Sequence, residues 1–139
     1  MGRFNPQDGK LALLFEKFPL LKKYKLAHAL ALDANGCLVV GADNGLYVYD
    51  MRKDTVWIPE VDAPGSPLLT LGSNKYNCAL KDSRGLMWLG TQYGIKVMYG
   101  DRHIDFLGPE HGFANATVQS IREDNNHDIW VSTINAIYK

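Results

Sequence analysis

A repeat constrains this chain more than any other feature of its sequence. Three stretches, Ala29 to Val48, Cys78 to Val97 and Ser120 to Lys139, superimpose without gaps over about twenty residues. Asp33, Asp82 and Asp124 mark the same place in each, so the offsets are 82 − 33 = 49 and 124 − 82 = 42 residues. Gly41, Gly90 and Ser132 stand eight residues further on, and Gly45, Gly94 and Ala136 twelve further on. A period of roughly 40–50 residues is that of one blade of a β-propeller.

The residues say why each unit is a stack of short antiparallel strands. Asp-x-x-Gly between apolar runs is hairpin chemistry: the aspartate side chain accepts the backbone N–H two residues on, and glycine supplies the positive φ that closes the turn. The runs that follow (Cys37 to Val40, Leu86 to Leu89, Ile129 to Val131) are nearly continuous in apolar character, as in a strand buried on both faces. A second turn, Gly41 to Gly45 or Gly90 to Gly94, leads into Leu46–Tyr49 or Ile95–Tyr99. A fourth strand is expected at Thr55–Ile58 and at His103–Phe106. Closely spaced glycines and the β-branched and aromatic residues between them argue against helices. Only Leu11 to Leu26 invites a helix, and Pro19 interrupts it; it reads as a strand plus a connector.

The expected fold is therefore all-β: about three four-stranded antiparallel propeller blades, an incomplete propeller or half of a six-bladed ring. Residues 1–25 carry the last strands of a blade plus a connector, 26–60 and 76–107 a blade each, and 117–139 the first three strands of another. Arg3 to Leu13 aligns with Val48 to Ile58, a third strand, a turn and a fourth strand. Three blades fall short of the four to eight that close a ring. The expected partners are thus the rest of a longer propeller or a second copy of the chain, a homodimer closed by swapped strands.

Charge and composition narrow the classes. Fifteen Lys plus Arg balance fifteen Asp plus Glu, which argues against nucleic acid or a membrane surface as partner. A hydrophobic content of 46% excludes a disordered tail. No run approaches a membrane span, and the N-terminus lacks the apolar core of a signal peptide. Cys37 and Cys78 have no CxxC spacing and read as reduced, half-buried thiols. The four histidines are scattered, and HExxH, GxSxG and phosphate-loop motifs are absent, so no catalytic residue, metal ligand or cofactor is expected. Asp124 to Asp128 superficially suggests a calcium loop but lacks the glycine and distal glutamate, and reads as a hairpin turn. Asn115-Ala-Thr117 has the form of a glycosylation acceptor. His28 sits in a strand-like alternation, not in the helix a phosphoacceptor needs.

Asp82-Ser-Arg-Gly-Leu-Met-Trp-Leu-Gly-Thr-Gln-Tyr-Gly-Ile resembles the two-component regulator propeller repeat: an aspartate turn, a tryptophan strand with Gly-Thr, then Gly-aliphatic. Ile121 to Thr133 resembles its Trp-x-Ser-Thr form, and Glu110 to Ile121 the connector before it. Val39 departs from the pattern in place of the tryptophan, His127 in place of the turn glycine and Ala136 in place of the later glycine. The resemblance implies the periplasmic input region of an inner-membrane-anchored hybrid histidine kinase, many of which sense oligosaccharides, with kinase and output modules downstream.

Propeller topology says where a ligand would bind. The turns between second and third strands and the connectors between blades emerge on one end, which collects Asp43, Asn44, Gln92, Tyr93, Ile134 and Asn135 together with residues 61–75 and 108–117. Tyr93 would stack on a sugar ring, while Asp43, Asn44, Gln92 and His111 would bond hydroxyls. The competing expectation is a protein-interaction scaffold without a small-molecule ligand.

Overall fold

The computed structural model describes residues 2–24, 26–62, 75–113 and 117–139. The Asn115 sequon residue and most of the connector expected over 61–75 lie outside the described residues.

The chain opens with a two-stranded hairpin, β1 (Gly2–Asn5) and β2 (Lys10–Leu13). One turn of helix, α1 (Leu14–Lys17), follows and stops at Phe18 before Pro19, which opens a 3-10 turn over Pro19–Lys23. The stretch read as strand plus connector is thus a strand only to Leu13. A single helical turn needs no long apolar period, so the connector is helical despite the proline.

The first four-stranded sheet runs β3 (Ala27–Leu32), β4 (Leu38–Ala42), β5 (Gly45–Asp50) and β6 (Thr55–Trp57) in chain order, and ends in a second one-turn helix, α2 (Pro59–Asp62). The second sheet repeats it with β7 (Tyr76–Lys81), β8 (Met87–Thr91), β9 (Gly94–Met98) and β10 (Ile104–Leu107). The third has three strands, β11 (Val118–Glu123), β12 (Ile129–Thr133) and β13 (Ile137–Tyr138). All pairings are antiparallel, and the first strand of each sheet carries a register shift at the same place, between Ala27 and Ala29, Tyr76 and Cys78, and Val118 and Ser120. The sheets form a partial, unclosed propeller.

Two apolar layers hold the sheets face to face. Val39 and Val48 of the first sheet meet Met87 and Leu89 of the second, all at most 1% exposed. Val97 of the second meets Val118, Ile121 and Val131 of the third. Each fully buried side chain of this size stabilises the fold by about 1.5–3 kcal/mol. The outer part of the first sheet is covered by the helical connector through Leu14 and Leu21, against Val40, Tyr47 and Tyr49.

Two glycines set how close the sheets come. A Cβ on Gly41 would lie 2.5 Å from Tyr76 Cβ, and one on Gly90 would lie 2.5 Å from Cys78 Sγ and 2.6 Å from Val118 Cγ1. Both occupy the same repeat position, where the first strand of the next sheet crosses.

Candidate functional site

The repeat aspartate organises one end of every blade. Asp33 Oδ1 accepts the N–H groups of Asn35 and Cys37 at 2.9 and 2.8 Å. Asp82 Oδ1 accepts those of Arg84 and Leu86 at 3.0 and 2.9 Å, and Asp124 Oδ1 those of Asn126 and Asp128 at 2.8 and 3.0 Å. These bonds close the hairpin around a residue with positive φ: Gly36 at 77°, Gly85 at 87° and, in the third unit, His127 at 64°. The loop suspected of calcium binding is this turn, and its carboxylate is occupied by backbone N–H groups. Burial pushes the Asp82 carboxyl up, but the Trp88 indole, the Arg84 guanidinium and the Leu86 N–H outweigh it and hold it below its ordinary range.

At this end Ser83 Oγ lies 3.0 Å from His127 Nδ1, and Glu123 Oε1 lies 3.0 Å from the same nitrogen. Serine, histidine and glutamate here are no catalytic relay, because nucleophile and carboxylate approach one ring nitrogen instead of opposite ones. Glu123 instead accepts the Ser83 N–H at 2.8 Å and fastens the third sheet's turn to the second's.

The opposite end of the sheets carries the turns between second and third strands. Asp43 and Asn44 fill the tight turn closed by the Ala42–Gly45 pair, and Gln92 and Tyr93 the one closed by Thr91–Gly94. Asp43 Oδ1 lies 2.9 Å from His28 Nε2 and 3.3 Å from Lys75 Nζ. Burial pushes the Asp43 carboxyl up, and the bonds from Lys75 and His28 overcome that and hold it low, so it is an anion beside two donors. Asn44 Nδ2 donates to the Lys23 carbonyl at 2.6 Å, fixing the turn against the connector. Tyr93 donates its N–H to Thr91 Oγ1 at 3.2 Å and leaves its ring half exposed. The Gln92 carbonyl accepts from Thr117 Oγ1 at 3.4 Å, tying the second sheet to the third. His111 Nδ1 accepts the Gly108 N–H at 3.3 Å within the 3-10 turn Pro109–His111.

Of the candidate ligand-binding residues, Asp43 thus gains two partners that the sequence did not place beside it, His28 and Lys75. They lie 15 and 32 residues away along the chain (43 − 28 and 75 − 43), and no local pattern announces them. Among the described residues no hydrogen bond or ion pair joins Tyr93 or His111 to that cluster. None of them groups three His, Cys, Asp or Glu side chains in a metal-binding arrangement, and no helix is long and apolar enough to cross a membrane.

Elsewhere the described residues line cavities. One of about 320 Å³ sits between the helical connector and the first sheet, lined by Leu14, Phe15, Leu21, Tyr24 and Tyr47. One of about 230 Å³ lies between the second and third sheets, lined by Trp88, Phe113, Ile129 and Tyr138. The second is walled mainly by apolar side chains, while Lys22 also lines the first. Burial also pushes the Cys78 thiol up to about 11, leaving it un-ionised and a poor nucleophile.

Residues 70–93 and 112–135 match the two component regulator propeller family. Each match contains the aspartate turn and its tryptophan, and neither includes the first unit, where Val39 replaces that tryptophan. Two extracellular domains of hybrid two component systems from B. thetaiotaomicron share the fold, at 24% and 21% identity and TM-scores of 0.66 and 0.64. Each comparison covers 81% of this chain but 15% of the larger domain. Virginiamycin B lyase from Staphylococcus aureus aligns at 16% identity with a TM-score of 0.55, over 78% of this chain and 35% of the lyase. At these identities the likeness is one of fold. No curated protein sequence matches the chain.

Proposed function

We propose that this chain, which carries two-component regulator propeller repeats, is a segment of the extracytoplasmic ligand-sensing propeller of a sensor histidine kinase, and that its ligand is an oligosaccharide. The observation that carries the reading is the His28–Asp43–Lys75 cluster on the second-to-third-strand turn of the first sheet, with the exposed Tyr93 ring on the corresponding turn of the second. A sugar needs a carboxylate to accept hydroxyl protons, donors for ring and hydroxyl oxygens, and an aromatic face for stacking; this end supplies all three. Occupancy would favour one arrangement of the propeller and bias a kinase outside this segment by population shift. The location that goes with the reading is periplasmic, as part of an inner-membrane-anchored sensor.

The test is thermal unfolding of the chain, and of a longer propeller containing it, against a panel of neutral and acidic oligosaccharides. A ligand at 100 times its Kd stabilises by about 2.7 kcal/mol. The expected result is a concentration-dependent rise in Tm for one glycan class, lost in Asp43→Ala and in Tyr93→Ala. A rise unaffected by both substitutions, or none across the panel in either protein, overturns the reading; the latter is what a protein-interaction scaffold would give.

A further inference from the structure

The first strand of each of the three larger sheets is an edge strand, and each carries one residue more than its partner pairs. Between the pairs Ala27–Ala42 and Ala29–Gly41 the extra residue is His28. Between Tyr76–Thr91 and Cys78–Gly90 it is Asn77, and between Val118–Thr133 and Ser120–Ser132 it is Gln119. The three stand at the offsets of the repeat itself, 77 − 28 = 49 and 119 − 77 = 42 residues. A β-bulge leaves its extra residue outside the ladder and re-aims the side chain, and bulges gather at sheet edges and beside binding sites.

The bulges lie at one level and in one row. The residue paired just before each of them, Ala42, Thr91 or Thr133, also opens the turn between second and third strands. Strand β7 packs against β3 on one side and β11 on the other. Asn77 Nδ2 donates to the Val118 carbonyl at 3.1 Å, reaching from one bulge to the next. His28 Nε2 lies 2.9 Å from Asp43 Oδ1, which joins the row to the turn that carries the charged cluster.

Packing accounts for the bulges but not for the side chains on them. An extended edge position accepts β-branched or apolar residues as readily. Here all three positions hold an imidazole or a carboxamide. His28 and Gln119 are exposed and Asn77 is half-buried. The Gln119 side chain has no hydrogen-bond partner among the described residues.

We propose that His28, Asn77 and Gln119 form a row that reads the ligand, one polar side chain per blade, as a glycan crosses from one sheet to the next. The proposal rests on the oligosaccharide reading above and narrows its class to uncharged sugar units with neighbouring hydroxyls. A carboxamide presents an acceptor oxygen beside a donor NH2, the complement of two adjacent hydroxyl groups. None of the three side chains is a carboxylate or an ammonium. The carboxylate beside them, Asp43, is matched by Lys75 at 3.3 Å and repels a uronate or a sulfate.

The test is calorimetric titration of the chain, and of a longer propeller containing it, with xylohexaose, cellohexaose and mannohexaose, and with hexagalacturonic acid as the charged probe. The expected result is binding of a neutral hexaose and not of the uronate, weakened about tenfold in Gln119→Ala and in Asn77→Ala, roughly one hydrogen bond each. Lys81→Ala, at the far end of β7, should bind as the parent does. Gln119→Ala should also keep the parent's Tm without ligand, a result that separates reading the ligand from holding the fold. Binding lost in Tyr93→Ala but kept at parent strength in Gln119→Ala and Asn77→Ala overturns the inference and leaves the oligosaccharide reading standing. Preference for the uronate overturns the uncharged class. Binding of no probe by either protein overturns both readings.

Discussion

Trp88 donates its indole N–H to Asp82 Oδ2 at 2.9 Å, and Trp130 does the same to Asp124 Oδ2 at 2.6 Å, six residues apart in each case. The aspartate uses one oxygen to close the turn and the other to seat the tryptophan of the next strand. Turn and strand face are therefore set by one side chain. In the first unit Val39 occupies the tryptophan position, and Asp33 keeps only the turn half of the arrangement.

Asp82 is 2% exposed and satisfies several donors at once, so Asp82→Ala is expected to cost about 3 kcal/mol or more. Trp88→Phe keeps a ring against the third sheet but removes the donor, and is expected to cost about 1–2 kcal/mol. Urea unfolding followed by fluorescence and circular dichroism checks both: the midpoint falls with an unchanged slope, more for Asp82→Ala.

Gly90→Ala should destabilise by about 2–3 kcal/mol, because its new methyl group meets Cys78 Sγ and Val118 Cγ1 inside contact distance. Gly100→Ala is the control: nothing lies within 4 Å of its Cβ position, and it should stay within about 0.5 kcal/mol of the parent. Equal effects in the two variants would mean that the sheets do not approach as described.

Lys96 is fully buried in β9, its ammonium 3.2 Å from the Tyr76 hydroxyl and 5.2 Å from the ring centre, and burial pushes it down to about 8. A lowered lysine makes the unfolded chain the better proton binder between that value and the ordinary 10.5, so its contribution to stability rises with pH across that window. The buried Cys78 thiol opposes this above about pH 9, since the unfolded thiol ionises first. The comparison with Lys96→Met isolates the lysine: any advantage of the variant should shrink by about 2 kcal/mol between about pH 7 and about pH 9.5. A constant difference across that range would contradict a desolvated ammonium.

Glu123 links the turns of the second and third sheets. The hydrogen bond from Ser83 holds its carboxyl below the ordinary 4.5 against burial, which pushes it up, and His127 adds to the lowering. A depressed carboxyl stabilises the fold above its ordinary value, and that contribution is lost as pH falls through the depressed one. Glu123→Gln should therefore be the less stable protein near neutrality, with the gap closing below about pH 4. Thermal melts at both pH values read the difference.

Much of the architecture was legible because its causes are local. Asp33, Asp82 and Asp124 bond residues two and four ahead, Gly36 and Gly85 supply the positive φ those turns need, and the pleat alternates faces along the strands that follow. Residues 3–5 pair with 10–12 as residues 48–50 pair with 55–57, a likeness between two hairpins whose causes are equally local. The helical turns Leu14–Lys17 and Pro59–Asp62 were not, since a four-residue helix has too few residues to show a period.

The sequence by itself determined the repeat unit, its turns and its strands, because a fixed period and short-range hydrogen bonds write these into every unit. Only the tertiary structure decided what the units do to one another. It brought Lys75 and His28 to Asp43, set Tyr76 and Val118 against bare glycine backbone, and buried Lys96, whose counterpart in the first sheet is Tyr47. Such contacts join residues far apart in the chain and depend on the angle and spacing at which whole sheets stack, quantities that no local pattern of residues encodes.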